Sequence, residues 1–341
     1  MANEHMALFE FKKSRYMRNT WLISAEQTLN FSDNSCIRYF NNNEALRLSK
    51  MIQKRNVFAR HSYENNFYIQ RIKELSEHTI IEVFRSGDPN EMREEAEMVA
   101  NQIEKLVLLS STLVVKKNEF LKKLGVSIKP RNELDCIIGK QIQYISSKSK
   151  IVSASAGIHV DERFKNRFER CGFLKLHNYC LSNNHLAKRV KSSMDWLFES
   201  RREPSTDASI VKTSIALESL LIFSESENLV RSLSDRIAYL LSSDPDIRKR
   251  LSKIVIQFYS ARSAIVHGNR KRTNHINPSL IEVIDRMCVL IYLTISSNSL
   301  IWKSQMEILE WFEMQRWGYN VAKINIPFSK QYLTNALALL K

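Results

Sequence analysis

The sequence contains few residues of the kind that form turns. Seven glycines and six prolines occur among its 341 residues, a share well below that of ordinary globular proteins. Because these residues mark tight turns and interrupt helices, their scarcity predicts long helices and few hairpins. The expected fold class is therefore mainly α.

Cysteines and long apolar runs are also scarce. The five cysteines are odd in number and scattered, which favours reduced thiols over a disulfide framework. The longest apolar run, residues 288–295, is shorter than the roughly 18 residues that a membrane-spanning helix needs. Residues 1–17 lack the apolar core of a secretory signal peptide. We expect a cytoplasmic protein that does not enter the membrane.

Motifs typical of cofactor-dependent enzymes are missing from the sequence. Neither G-x-x-x-x-G-K-[ST] nor G-x-G-x-x-G is present, so P-loop and dinucleotide chemistry have no support. Cys171, His177, Cys180 and His185 follow the spacing C-x5-H-x2-C-x4-H, and zinc accepts such ligands. Because no short C-x2-C knuckle accompanies them, buried cysteines and unrelated histidines are the preferred interpretation, with zinc as the alternative. We predict no metal and no cofactor.

Positive charge, by contrast, is abundant. Lysine and arginine total 51 against 36 acidic residues, a net charge of +15. Such an excess attracts polyanions without sequence preference. Nucleic acid is the first expected partner and a membrane surface the second, while a basic protein with neither partner is a further alternative. Hydrophobic residues make up 44% of the chain, enough for a packed core.

Residues 1–185 mix strand and helix signals and predict an α+β region. Residues 20–31 and 78–84 resemble strands, whereas 42–55 resemble a helix. Another helix is expected to begin at Asp88 and Pro89 and to continue to about Gly125. Residues 131–160 alternate β-branched and polar side chains, which fits one or two strands or a helix that frays into a strand. A short helix is expected near 161–173.

The chain beyond residue 185 has a regular helical pattern. Five amphipathic segments joined by short connections are predicted at 184–203, 207–225, 228–244, 245–268 and 277–302. Helices connected in this way pack as antiparallel neighbours. We therefore predict a helical bundle over 186–305 and a helical tail over 306–341.

The fourth of these helices carries an arginine and a histidine near its end. Arg262 and His267 precede Gly268, at which the helix is expected to stop. The predicted core stripe, at about 100° per residue, consists of Ile254, Phe258, Ala261 and Ile265. A second, semi-polar face between Arg262 and His267 consists of Val255, Tyr259, Ser263 and Val266.

This residue pair suits the cleavage of RNA. An arginine binds phosphate through a planar fork and stays charged. A histidine accepts or delivers a proton near neutral pH. Together they could support attack of a 2′-hydroxyl on the neighbouring phosphorus. The alternative is a helix C-terminus that merely attracts cations.

The segment "YSARSAIVHGN" resembles the R-x4-6-H motif of HEPN domains, which are helical bundles of prokaryotic RNase toxins and defence proteins. It is especially similar to the ApeA-like branch, in which an "ALE-x-L" helix stands upstream. Here "IALESLL" (215–221) and "SLSDRIAYLL" (232–241) take fitting positions. The likeness covers about residues 190–300. It implies a HEPN-type bundle, a metal-independent reaction that leaves a 2′,3′-cyclic phosphate, and a homodimer whose motif helices face one another.

The resemblance also implies roles for individual residues. Arg262 and His267 correspond to the catalytic pair. Supporting positions are Ser263, Asn269, Glu218 and Tyr259. Glu218 is expected either to pair with Arg262 and aim its guanidinium or to be an ordinary surface or structural acid. Val255, Tyr259 and Val266 are expected to form the apolar dimer seam, although Tyr259 could instead stack a base.

Basic residues bracket the motif helix and are the candidate RNA contacts. They are Arg248, Lys249, Arg250, Arg270, Lys271 and Arg272. The plainer alternative for each cluster is a solvated surface. The sequence as a whole predicts an endoribonuclease of anti-phage defence or toxin-like growth arrest, checked by an antitoxin or sensor partner. The alternative is a non-catalytic HEPN module that binds RNA or another protein.

Overall fold

A computed structural model describes thirteen stretches of the chain. They are residues 14–20, 23–55, 69–70, 72–76, 78–86, 89–114, 130–138, 142–151, 158–203, 205–268, 278–319, 323–328 and 330–338. Four predicted site residues lie outside these stretches: Asn269, Arg270, Lys271 and Arg272. The chain is mainly helical, with an antiparallel sheet in its N-terminal part, and this confirms the predicted fold class at that level.

The chain divides into two compact units. One comprises residues 1–108 and 124–166, and the other comprises residues 109–123 and 167–341. The sequence-based boundary at residue 185 therefore falls inside the second unit. The predicted tail also belongs to the second unit. Contacts across the two sequence-based boundaries account for this membership: Lys175 donates to the carbonyl oxygen of Ser297 at 3.1 Å, and Trp302 meets Trp311 edge-on at 5.2 Å.

The first unit contains a six-stranded antiparallel sheet with the order β3-β4-β5-β1-β6-β7. Its strands are β1 (Ser14–Asn19), β3 (Leu29–Ser32), β4 (Ser35–Phe40), β5 (His78–Arg85), β6 (Pro130–Ile138) and β7 (Ile142–Ile151). A short parallel pair joins β2 (Ile23–Ala25) to β8 (Ile158–Val160). The strand predicted at 78–84 is confirmed, and the ambiguous segment 131–160 contains strands. The segment 20–31, predicted as strand, contains the two short strands β2 and β3.

Two helices make side-chain contacts with this sheet, and a third follows them in the chain. They are α1 (Asn42–Arg55) and α2 (Pro89–Val114), with α3 (Glu162–Arg170) following β8. Arg18 of β1 is buried and donates to Asn101 at 2.6 Å and Glu104 at 3.2 Å, both on α2. Proline at the first position of α2 fits because that position has no intrahelical N–H partner to lose. The predicted starts of α1, α2 and α3 agree with the structure.

The second unit contains the helices expected after residue 185, with one shorter helix before them and two after. They are α4 (Phe173–Cys180), α5 (His185–Arg202), α6 (Thr206–Leu221), α7 (Leu229–Leu241), α8 (Pro245–Val266), α9 (Pro278–Ser297), α10 (Gln305–Arg316) and α11 (Lys330–Ala338). Four helix starts are fixed by the side chains of Asn184, Ser205, Asn228 and Asp244, which accept from backbone N–H groups of the first turn.

The core of the second unit forms around α9. Apolar side chains cover most of its circumference, from Val283 through Ile295, so α9 is enclosed by its neighbours rather than exposed on one face. Over the described ranges, no helix combines the length and the apolar character needed to cross a bilayer.

Candidate functional site

The motif helix α8 begins and ends as its sequence predicts. Asp244 caps its start by accepting from the N–H groups of Asp246 and Ile247, and Pro245 follows. The helix closes at His267, the C-cap residue, and Gly268 has a φ of +67°. That left-handed conformation suits glycine because it has no Cβ to clash. His267 is exposed at this helix end.

Arg262 lies on the side of α8 that faces α6. Its Nη2 is 3.9 Å from Oε1 of Glu218, and the two side chains are 29% and 25% exposed. One turn earlier, the Tyr259 hydroxyl donates to the carbonyl oxygen of Ser214 at 3.3 Å. Tyr259, the earlier residue on α8, contacts the earlier residue on α6, Ser214. Arg262, the later residue on α8, contacts the later one, Glu218, so α6 and α8 run parallel. Glu218 lies beside Arg262 as expected. That this pairing aims the guanidinium for a reaction stays a prediction.

The predicted dimer seam needs correction, because two of its three residues are in the core. Val255 is fully buried and Tyr259 is 3% exposed, whereas Val266 is 52% exposed. Helix α6 contacts the Tyr259 part of the face that the sequence assigned to a partner. In the predicted core stripe, Ile254 and Phe258 are buried, but Ala261 and Ile265 are only half-buried. Tyr259 is also inaccessible to a base, so its stacking alternative is wrong.

The exposed face of α8 is a different one. Ile256, Ser260, Ser263 and His267 recur at helical spacing, and all are exposed, Ile256 by 49%. At about 100° per residue, Arg262 lies about 140° around the helix from His267. One copy of α8 therefore presents its arginine and its histidine in different directions. The structure brings Arg262 to Glu218 and does not bring it to His267.

Arg248 was predicted as an RNA contact, but its position is structural. Its Nε donates to the carbonyl oxygen of Ser242 at 2.6 Å and its Nη2 donates to Gln315 at 3.0 Å. Its guanidinium also stacks over Tyr239, 4.8 Å from the ring centre. Burial lowers the pKa of Arg248. The neighbouring Lys249 and Arg250 are exposed and remain available to a phosphate backbone.

The four residues with zinc-like spacing do not share one environment. Cys171, His177 and Cys180 are buried, while His185 is exposed at the start of α5. Burial raises the pKa of the Cys180 thiol to about 12, and a protonated thiol is a poor metal ligand. Within the described residues, no three His, Cys, Asp or Glu side chains are grouped so as to hold a metal ion.

The second unit contains a buried polar cluster that the sequence does not predict. Arg201 of α5 and Asp285 of α9 form an ion pair at 3.4 Å with both side chains 10% exposed. Burial, the largest effect, raises the pKa of Asp285 to about 6 even though the Arg201 charge opposes it. Nearby, the hydroxyls of Ser193 and Tyr292 share a hydrogen bond of 2.8 Å. The available signal is Asp285, a charged residue three positions before the apolar run 288–295.

Two arginines form hydrogen bonds with carbonyl groups at the C-terminal end of α6. Arg189 donates to the carbonyl oxygens of Leu220 and Ile222, and Arg236 donates to that of Leu221. Both guanidinium groups stack on the ring of Phe223, at 4.7 and 5.1 Å. Guanidinium groups stabilise a helix C-terminus because its last carbonyls lack intrahelical donors.

No protein-family model, curated protein or solved structure matches the chain. The chemistry of the site therefore rests on its residues. Arg262 supplies a permanent cation beside an acid that can orient it. His267 supplies an exposed imidazole at the end of the same helix. These are the groups that a phosphodiester substrate would need for charge neutralisation and proton transfer.

Proposed function

We propose that the protein is a metal-independent endoribonuclease of the HEPN type, with Arg262 and His267 as its catalytic residues. One observation carries the proposal. Arg262 is held beside Glu218 at the surface of α8 while His267 is exposed five residues later. The helices over 186–305 are accordingly assigned to a HEPN-type bundle, in keeping with the R-x4-H sequence.

In the proposed reaction, the 2′-oxygen of one nucleotide attacks the adjacent phosphorus and the bond from phosphorus to the 5′-oxygen breaks. The 2′-hydroxyl proton is removed by an imidazole, and a proton is delivered to the departing 5′-oxygen. Arg262 neutralises the charge that develops on the phosphoryl oxygens. The products are a 2′,3′-cyclic phosphate and a 5′-hydroxyl, and no oxidant, reductant or metal is consumed.

The active form is proposed to be a homodimer. Because Arg262 and His267 lie about 140° apart around one helix, a single chain cannot easily direct both at one phosphate. A second copy of α8 packed antiparallel would bring Arg262 of one chain towards the histidine of the other. The buried Val255 and Tyr259 cannot form the seam. Ser263 and Val266, exposed between the two catalytic residues, take that place together with Ile256.

We place this activity in the cytoplasm, in anti-phage defence or toxin-like growth arrest, because an unrestrained ribonuclease would damage its own cell. An antitoxin or a sensor partner would hold it in check. Residues 1–185 are the proposed sensing or positioning part. RNA is the proposed substrate, bound through the exposed cations Lys249 and Arg250 and the basic residues 270–272.

The test is to incubate the purified full-length protein with total RNA in EDTA. We expect cleavage with 2′,3′-cyclic phosphate ends, and a loss of at least ~100-fold in rate for His267→Ala or Arg262→Ala. The exposed residues His185 and Arg202, on α5, provide matched controls as His185→Ala and Arg202→Ala. Cleavage by His267→Ala at the wild-type rate would overturn the assignment. A wild type that binds RNA but leaves every RNA intact would favour the binding module.

A further inference from the structure

Two large aromatic side chains lie exposed at the C-terminal end of α10. Trp317, the C-cap residue of this helix, is 68% exposed, and Tyr319 is 67% exposed. Gly318 between them has a φ of +71°, the left-handed conformation that ends many helices. The chain turns here and leaves both rings in solvent. Because tryptophan is on average highly buried, this pair indicates a binding surface.

Arg316 orients the indole ring of Trp317 without covering it. Its guanidinium carbon lies 5.6 Å from the ring centre, and most of the indole remains exposed. Glu313 pairs with Arg316 at 3.8 Å, and both side chains are exposed. Since exposed pairs of this kind contribute little, the arginine can exchange the carboxylate for a phosphate. The end of α10 thus offers a flat ring and a cation side by side.

A hydrogen bond connects this end of α10 to the start of α8. Gln315 accepts from Nη2 of Arg248 at 3.0 Å. The two residues that follow Arg248 are the exposed cations Lys249 and Arg250, and Lys253 is exposed one turn later. The exposed aromatic rings and the exposed cations therefore belong to one region of the second unit.

The exposed cations of α8 lead towards His267. Lys249 and His267 are 18 residues apart, about five whole turns, so both lie in the same direction around the helix. Lys253 and Ser260 lie within about 40° of that direction, and all four residues are exposed. The proposed dimer seam is centred on the other side of His267. Because this stripe is about 27 Å long at 1.5 Å per residue, one nucleotide cannot contact both of its ends.

We propose that Trp317 and Tyr319 form a stacking platform for the unpaired bases of single-stranded RNA, whose backbone continues past Lys249 and Lys253 to His267. This inference rests on the proposed ribonuclease function and names its substrate class. Every base has a flat aromatic face, so stacking on such rings accepts single strands of any sequence. The bases of a duplex stack on one another and are not available to the rings. A protein partner would also fit two apolar rings, but the adjoining cations favour a polyanion.

The experiment measures binding with strands that cannot be cut. A labelled 2′-O-methyl RNA of about 12 nucleotides lacks the attacking hydroxyl, and a strand of equal length without bases keeps the phosphates alone. Fluorescence anisotropy gives Kd for Trp317→Ala, Trp317→Leu, Trp317→Phe and Tyr319→Ala. Met306→Ala is the matched control, because Met306 is a large apolar residue, 73% exposed, on the same helix. In parallel, KM and kcat are measured for unmodified RNA in EDTA.

We expect Trp317→Ala, Trp317→Leu and Tyr319→Ala to weaken binding of the 2′-O-methyl strand about tenfold, the usual scale for one stacked base. Trp317→Phe keeps an aromatic face and should lose less, and Met306→Ala should bind as the wild type does. The strand without bases should bind equally to the wild type and to Trp317→Ala. In cleavage, Trp317→Ala should raise KM by a similar factor and not lower kcat, because the platform does not touch the reacting phosphate.

The platform and the ribonuclease function can fail separately. Wild-type affinity for the 2′-O-methyl strand in Trp317→Ala and Tyr319→Ala would overturn the platform, whatever the protein does to unmodified RNA. Wild-type affinity in Trp317→Leu would also overturn it, because an apolar surface of the kind that binds proteins would then suffice. The same holds if the wild type does not prefer the strand with bases, or if Met306→Ala loses as much affinity. If binding depends on Trp317 but unmodified RNA stays intact, the ribonuclease function fails and the platform stands.

Discussion

The ion pair between Arg201 and Asp285 leads to a prediction about stability. The sign of the change in the free energy of unfolding on replacing Asp285 can be tested directly. Several effects act on this carboxylate, and the two largest oppose each other. Burial disfavours its ionised form, and the neighbouring guanidinium favours it. The pKa of Asp285 is raised to about 6 from its ordinary value of 3.8, so burial is the larger effect. Asp285→Asn, which resembles the protonated acid in shape and charge, is the informative perturbation.

The magnitude follows from the linkage between protons and folding. A raised pKa means that the folded chain binds an additional proton between about pH 4 and pH 6, so the free energy of unfolding falls as the pH rises through that window. A difference of about two pKa units corresponds to about 3 kcal/mol at 1.36 kcal/mol per unit. Asp285→Asn should therefore match the wild type near pH 4. At pH 7.5 it should be more stable by up to about 3 kcal/mol.

The assay is urea unfolding of the full chain from pH 4 to pH 7.5, followed by tryptophan fluorescence. Trp302 and Trp311 are buried in the same unit as the ion pair, so their emission reports on that unit. Asp207→Asn, at an exposed position of α6, provides the control. Removing one partner of a buried pair that is dominated by attraction costs about 3–5 kcal/mol. A loss of that size in Asp285→Asn at pH 7.5 would refute the reasoning.

Two further predictions concern the dimer and its RNA. Val266→Glu should give a folded but inactive monomer by size-exclusion chromatography, since Val266 is 52% exposed in the single chain and a charge there disturbs only a partner. Mixing Arg262→Ala with His267→Ala chains should recover activity, and a wild-type monomer that cuts RNA would contradict the composite site. RNA affinity should fall with salt, and alanine at 270–272 should reduce the slope by about 0.7 for each phosphate that is no longer neutralised. An unchanged slope would place the RNA elsewhere on the chain.

The sequence predicts the helices of the second unit well because their ends carry local signals. Asp244 and Pro245 start α8, and Gly268 follows its end. These signals act within one turn and need no information from the rest of the fold. The expected neighbourhood of Glu218 and Arg262 is likewise present, since the positions of both residues on their helices place them on facing sides.

The sequence does not predict which faces of α8 are covered. Periodicity identifies one apolar stripe, but α8 packs on more than one side. Val255 and Tyr259 are buried as well, and Tyr259 contacts Ser214 of α6. The sequence also cannot show that Arg248 is packed. One of its acceptors, Gln315, lies 67 residues further along the chain, so a local cluster of cations cannot distinguish a solvated arginine from a packed one.

The parallel course of α6 and α8 directs both C-termini towards the same end of the second unit. Each terminus carries partial negative charge from its last carbonyl groups, equivalent to roughly half an elementary charge. At α6 the last carbonyl groups accept from Arg189 and Arg236, and Arg236 is itself paired with Glu227. An RNA phosphate that approaches His267 would meet the dipole of α8 with the unfavourable sign. Its attraction to this end must therefore come from full cationic charges, which makes the electrostatic field here a property of the arginines and lysines rather than of the helix backbone.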